Sequence, residues 1–218
     1  MVSPSLVTRL LQTDCLSMKK YSELTIGVLA LQGAFREHRQ MVESLGAACI
    51  EVRLPHQLEG LDGLIMPGGE STAIGKLMVK WELLEPIRKL GSEGFPIWGT
   101  CAGMIMLCKK ILERGKVMEQ TKLDLLDATV VRNAFGRQRE SFEAEIEIEG
   151  FDEPYNGVFI RAPFVDDFGP DVEVLASIAD NPVFVRQGNL LGASFHPELT
   201  DDTRVHSFFL DMLLQERN

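Results

Sequence analysis

The sequence predicts an α/β fold: a mostly parallel central sheet with helices on both faces, and some antiparallel strands in the C-terminal half. Three observations carry this expectation. Continuous apolar runs at 25–31, 63–66 and 95–98 are each followed closely by a glycine-containing turn and a helix-spaced segment, as for strands covered on both faces and joined by crossover helices. By contrast, Phe142-Glu143-Ala144-Glu145-Ile146-Glu147-Ile148 alternates strictly, as for an antiparallel strand with one wet face. Finally, nothing resembling a linker or an internal repeat interrupts the chain, so one domain is expected.

Taken in order, residues 1–24 precede the first convincing core element and read as an N-terminal extension, with the domain spanning 25–218. The first strand, 25–31, gives way through Gln32-Gly33 to a helix over 34–45, which Gly46 ends. Strands are expected at 48–54 and 63–66. Directly after the latter comes Pro67-Gly68-Gly69-Glu70-Ser71-Thr72. Ligands of open α/β sheets sit at the carboxyl ends of strands, so this loop lies at the functional edge. Its paired glycines bring backbone N–H groups close to a ligand, and Ser71 or Thr72 is placed to cap the next helix. Helices over 73–79 and 83–93 lead to the strand ending at Trp98, and another helix carries residues 104–112. Residues 114–122 are polar and irregular. Short strands are expected at 125–132, 143–149, 158–160, 172–177, 183–186 and 190–195. A closing helix over 201–215 buries Val205, Phe208, Phe209, Met212 and Leu213.

Composition excludes several classes of function. A net charge of −10 argues against a nucleic-acid partner, which needs clustered Lys and Arg. No apolar run approaches the roughly 20 residues a membrane span requires, and the first residues lack a signal-peptide layout. The four cysteines, Cys15, Cys49, Cys101 and Cys108, show no CxxC pair and no histidine spacing suited to zinc. They are too sparse for a disulfide framework, so a reducing cytoplasm is expected, with no metal and no cofactor.

The chemistry concentrates around Gly99-Thr100-Cys101-Ala102-Gly103. A strand ending in Gly-x-Cys-x-Gly and running straight into a helix is the layout of a nucleophile elbow, with sulfur in place of the serine oxygen. The first helical amides favour the thiolate, the reactive form. A cysteine picked at random packs as a small hydrophobe, but two flanking glycines are wasted on a merely buried residue. The second half of the group is Ser194-Phe195-His196-Pro197-Glu198-Leu199. His196 and Glu198, two apart, point the same way in extended backbone, and Pro197 favours that geometry. A carboxylate beside an imidazole fixes its tautomer and makes it a better base toward a thiol. The remaining histidines read as bland: His38 in the charge run Arg36-Glu37-His38-Arg39 as a solvated helix face, His56 in a loop, His206 on the polar side of the last helix. Cys49 and Cys108 read as core residues.

These motifs resemble those of class I (triad) glutamine amidotransferases, and in particular the glutaminase subunits of pyridoxal 5′-phosphate synthase. The resemblance runs from about residue 25 to the C-terminus. It rests on Leu29-Ala30-Leu31-Gln32-Gly33-Ala34, the Pro67–Thr72 loop, the cysteine elbow, Arg132-Asn133-Ala134-Phe135-Gly136-Arg137-Gln138, Phe159-Ile160-Arg161-Ala162-Pro163 and the His-Pro-Glu segment. It implies a three-layer fold, and the triad Cys101, His196 and Glu198 hydrolysing glutamine to glutamate and ammonia. It further implies an oxyanion hole of Gly69 and Ala102 backbone amides, and glutamine contacts from Gly69, Glu70, Ser71, Arg132, Ile160 and Arg161. The implied partner is a (β/α)8-barrel synthase subunit that takes up the ammonia and activates an otherwise weak glutaminase; Gln32 and the helix after it are expected at that interface. Two other readings compete: a glutaminase serving a different synthase, and a non-catalytic protein using Cys101 as a redox sensor. The Gly-Gly-Glu-Ser-Thr and Phe-Ile-Arg-Ala-Pro segments oppose the first, and the His-x-Glu pair opposes the second.

Overall fold

The computed structural model describes residues 20–134 and 141–216. The extension up to residue 19, with Cys15, and Phe135-Gly136-Arg137-Gln138 of the sequence motif lie outside the described residues.

Among the described residues the largest sheet has seven strands. Five of them are β1 (Thr25–Leu29), β2 (Ala48–Val52), β3 (Gly63–Met66), β4 (Ile97–Thr100) and β13 (Leu190–Ala193), running parallel in the order β13-β4-β3-β1-β2. Two antiparallel strands, β12 (Asn181–Gln187) and β11 (Glu173–Ile178), extend the β13 edge. The expected mixture is therefore present. β1, β3, β4 and β13 are almost wholly buried, which is why they read as unbroken apolar runs.

Two apolar clusters flank this sheet. On one face, α1 (Phe35–Ser44) and α5 (Arg204–Glu216) set Val42, Val205, Phe209 and Leu213 against Ile26, Val28 and Trp98. On the other, α2 (Ser71–Lys80), α3 (Leu84–Ser92) and α4 (Ala102–Leu107) set Ile74, Met78, Ile87 and Met104 against Leu29, Leu64 and Ile97. Each fully buried side chain of this size is worth about 1.5–3 kcal/mol over an exposed one, so the sheet is clamped from both sides. Tyr21 and Leu24, which the sequence leaves in the extension, are buried in the first cluster, so the packed core takes in residues before β1.

A smaller sheet holds β5 (Cys108–Glu113), β6 (Lys116–Val117), β7 (Leu126–Val131) and β10 (Phe164–Phe168). Here the sequence reading needs correction. The expected helix over 104–112 stops at Leu107; Cys108 turns extended and the chain pairs with β7 in parallel. The apolar spacing of 104–112 suits either element, and the available strand partner decides it. The alternating segment pairs as expected: β8 (Ser141–Ile146) runs antiparallel to β9 (Tyr155–Ile160).

Candidate active site

Three adjacent parallel strands end at one edge and bring the candidate residues there. Met66 of β3 pairs with Gly99 of β4, and Ala193 of β13 pairs with Thr100. The residues that follow are the Pro67–Thr72 loop, Cys101, and the Ser194–Glu198 segment. The Cys101 N–H donates to the Ala193 carbonyl at 2.7 Å, stitching the two strand ends together. Convergence of three distant segments is thus a consequence of strand order.

The elbow at Cys101 is built by backbone contact. Cys101 has φ 48° and ψ −103°, a conformation that L side chains avoid and that costs on the order of 1–3 kcal/mol. The turn is so tight that a Cβ on Gly99 would lie 2.4 Å from the Gly103 carbonyl carbon, and one on Gly103 would lie 2.0 Å from the Met66 carbonyl oxygen. Both glycines are required by these approaches. Ala102 opens α4, so its amide belongs to the first turn, which lacks intrahelical acceptors.

Across from the sulfur stands His196, and a Cβ on Gly68 would meet both, at 2.4 Å from His196 Cε1 and 3.4 Å from Cys101 Cβ. Only glycine lets the loop close over this pair. His196 Nδ1 bonds Glu198 Oε1 at 2.8 Å, which leaves Nε2 free of the carboxylate. Burial disfavours the imidazolium, but the hydrogen bonds and charges of Cys101 and Glu198 outweigh it and raise the His196 pKa to about 10. Burial raises the Glu198 pKa, yet the neighbouring imidazoles prevail and hold it below the usual carboxylate range. The pairing of His196 with Glu198 was expected from extended backbone; the structure instead forms a 3-10 turn over Pro197–Leu199. Proline fits the first position of such a turn, and the turn, not a strand, folds the carboxylate back onto the ring.

Behind Glu198 lie two histidines that the sequence reading places in solvent. His38 is wholly buried and His206 is 1% exposed. His38 Nδ1 lies 3.0 Å from His206 Nε2, His38 Nε2 lies 3.0 Å from Thr100 Oγ1, and the same Nε2 lies 3.3 Å from Glu198 Oε2. Trp98 walls the pair, with ring centroids 5.4 Å from His38 and 4.9 Å from His206. Burial lowers the pKa of both imidazoles. The correction has a visible cause: His38 shares a helix stripe with Val42 four residues on, and His206 sits between buried Val205 and Phe209 with Leu210 four residues on. Helical spacing held the signal that the neighbouring charges in Arg36-Glu37-His38-Arg39 obscured.

The loop side is ordered by polar side chains. Gln32 Oε1 accepts the Glu70 N–H at 2.7 Å, tying the β1–α1 turn to the loop. Glu70 caps α2, accepting from Thr72 N at 3.1 Å and Ala73 N at 2.7 Å, whereas Ser71 and Thr72 were the expected caps. Burial and these backbone donors act oppositely on the Glu70 carboxyl, and the donors win, lowering its pKa. Arg132 Nη2 lies 3.4 Å from Glu70 Oε1, and Arg132 Nη1 donates to Gln120 Oε1 at 3.3 Å. The same Gln120 oxygen accepts from Ser71 and Thr72, each at 3.3 Å. Gln120 was missed because it falls in a stretch without periodicity. The Ile160 carbonyl lies 3.8 Å from Cys101 Sγ, at the end of β9. Arg161 follows at the exposed rim with φ 44° and takes no part in these contacts.

Cys49 and Cys108 offer no competing thiol: burial pushes each up to about 12. Among the described residues, no group of three or more His, Cys, Asp or Glu side chains is arranged to hold a metal ion, and no helix is long and apolar enough to cross a membrane.

Residues 28–215 match the model of the SNO glutamine amidotransferase family. The pyridoxal 5′-phosphate synthase subunit PdxT of Moorella thermoacetica is 55% identical over 191 residues, covering 87% of this chain and 100% of that protein. The protein of the same name from Desulforudis audaxviator is 56% identical, covering 87% of this chain and 99% of its own length. Among solved structures, a glutamine amidotransferase superposes with a TM-score of 0.81 at 52% identity, over 86% of this chain and 98% of that one.

Proposed function

The chain belongs to the SNO glutamine amidotransferase family, and on that footing we propose that it is the glutaminase subunit of a pyridoxal 5′-phosphate synthase, with Cys101, His196 and Glu198 as its triad. The observation that carries the assignment of residues is the convergence of the three side chains: His196 Nδ1 bonds Glu198 Oε1 at 2.8 Å, and a Cβ on Gly68 would meet both the His196 ring and Cys101 Cβ, at 2.4 Å and 3.4 Å.

Cys101 passes its proton to His196 and attacks the side-chain amide carbon of glutamine. The Gly69 and Ala102 amides stabilise the oxyanion that forms, each such donor being worth about 2.7–4 kcal/mol. His196, whose proton is held by its two partners at neutral pH, delivers that proton to the departing ammonia. The neutral ring then takes a proton from water, and the hydroxide released at the thioester frees glutamate and regenerates the sulfur. Glu198 keeps Nδ1 of the ring protonated throughout. Arg132 meets the α-carboxylate of glutamine with a charge-assisted bond, while Gly69, Glu70, Ser71, Ile160 and Arg161 complete the substrate pocket.

Ammonia in neutral water is mostly ammonium and no longer a nucleophile, so its user must sit close by. The relatives' names supply the class of partner, a pyridoxal 5′-phosphate synthase assembly; a (β/α)8-barrel subunit docked at the edge formed by Gln32, α1 and the Gly68–Gly69 loop is the arrangement we propose for it, in the cytoplasm. Glutamate release measured with and without the synthase subunit tests this. Stimulated release that disappears in Cys101→Ala is expected; release that survives Cys101→Ala overturns the assignment.

A further inference from the structure

The buried pair His38 and His206 has no part in the reaction as written, yet it ends against the acid of the triad. Glu198 has a fully buried side chain, and its Oε2 makes no aligned hydrogen bond among the described residues. His38 Nε2 stands 3.3 Å from that oxygen and 3.0 Å from Thr100 Oγ1, the residue immediately before the nucleophile.

The tautomers follow from the contacts. If His38 carried its proton on Nδ1, it would donate to His206 Nε2, and the His206 Nδ1–H would be a buried donor without an acceptor. A bare His38 Nε2 would then face a carboxylate, lone pair against charge. If instead His206 is protonated on Nε2, it donates to His38 Nδ1, only a bare nitrogen is left unpartnered, and His38 presents an N–H to Glu198. The second arrangement avoids both penalties, because it leaves no buried donor without an acceptor.

We propose that His38 is a positioning residue for the catalytic carboxylate: its Nε2–H, shared between Glu198 Oε2 and Thr100 Oγ1 and fixed by a hydrogen bond from His206, holds Glu198 so that Oε1 meets His196. This rests on the triad reading of Cys101, His196 and Glu198. The acid is carried on the short 3-10 turn Pro197–Leu199, with His196 at one carboxylate oxygen and His38 at the other. His38 sits on α1, a two-sided clamp: its N-terminal end takes the Gly68 carbonyl through the Ala34 N–H at 3.2 Å, and its buried face holds the acid. Burial keeps both added imidazoles neutral, so they steer the carboxylate without competing for the charge of His196.

Glutamate release is measured on the full chain with its synthase subunit, alongside a melting curve for each variant. His38→Leu is expected to lower kcat at least ten-fold with KM changed less than three-fold, and His38→Gln, which returns an N–H near the Nε2 position, to recover most of that loss. His206→Leu, leaving His38 Nδ1 free to take the wrong proton, is expected to fall between the two. Loss of kcat in His38→Gln as deep as in His38→Leu, or wild-type kcat in His38→Leu, overturns the proposal. Because a buried histidine-to-leucine change can fail to fold, the wild-type protein labelled with nitrogen-15 in its histidines supplies a second reading. A neutral His38 protonated on Nε2 is expected, and a proton on Nδ1 or a charged His38 overturns the proposal. Should the wild-type complex release no glutamate at all, the triad reading fails, while the spectrum still decides the tautomer.

Discussion

The two halves of the site are held by different forces. Cys101 is fixed by backbone: a strained φ of 48°, two glycines that meet carbonyl groups at 2.0–2.5 Å if given a Cβ, and a main-chain bond to Ala193. His196 and Glu198 are fixed by side chains: a 2.8 Å bond to one another, and behind it two imidazoles and a threonine. The first half is a matter of shape and tolerates no added methyl group. The second is a matter of proton placement and tolerates no change of donor or acceptor, even at constant volume. The difference says which kind of substitution tests which half.

The largest effect is expected where volume is conserved and charge is not. Glu198→Gln should lower kcat by about 10²–10⁴-fold, because the amide can favour the wrong imidazole tautomer, and should lower the melting temperature as well, because it takes the counter-charge from the buried His196 ring; glutamate-release kinetics and calorimetry check both. The converse change is Gly103→Ala, which leaves every proton in place and drives a methyl group into the Met66 carbonyl. It should destabilise the fold by about 1–3 kcal/mol or more, as overpacking does, and lose activity along with the elbow geometry; urea unfolding reads it. If Gly103→Ala were as stable as the parent, the steric account of the nucleophile would fail.

A smaller effect is expected at the loop. Glu70→Ala removes the α2 cap and the counter-ion of Arg132, so stability should drop by about 0.5–2 kcal/mol and KM for glutamine should rise more than kcat falls. The smallest is a pH dependence with a definite sign. His38 and His206 have lowered folded-state pKa values, so the unfolded chain binds more protons once pH falls below about 6.5, and stability falls with it, by at most about 1.4 kcal/mol per pH unit for each group. The depressed Glu198 adds its own loss only further down, as pH falls below the ordinary carboxylate range. His196 works the other way: with its folded pKa raised to about 10, its contribution is complete below about 6.5 and is lost as pH rises through 10. Unfolding midpoints across this range should show a flatter acid limb in His206→Leu than in the parent.

What the sequence disclosed follows the same division. Backbone-built features have sequence signatures, because glycine spacing and apolar runs are local: the elbow, the parallel strands and the Gly68–Gly69 loop were all legible. The pairing of His196 with Glu198 was legible for a reason that needed correcting, since a 3-10 turn replaces the extended backbone. Side-chain networks are assembled from distant segments and leave little local trace. His38 meets Glu198 from 160 positions away and His206 from 168, and both lay beside polar residues that masked their helical stripes. Gln120, which gathers Ser71, Thr72 and Arg132, sits where no periodicity exists to read. The strand at Cys108–Glu113 was hidden for another reason: its apolar spacing fits a helix equally well, and only its partner β7 chooses.

The central claim is that one sulfur, brought by strand order to the imidazole of His196, forms a covalent bond to the glutamine side chain. Acid-quenched mass spectrometry of the complex during turnover tests it most directly. A glutamyl adduct on the peptide carrying Cys101, accumulating with glutamine and absent from Cys101→Ala, is the predicted result; steady glutamate release with that peptide unmodified, and undiminished in Cys101→Ala, would contradict it.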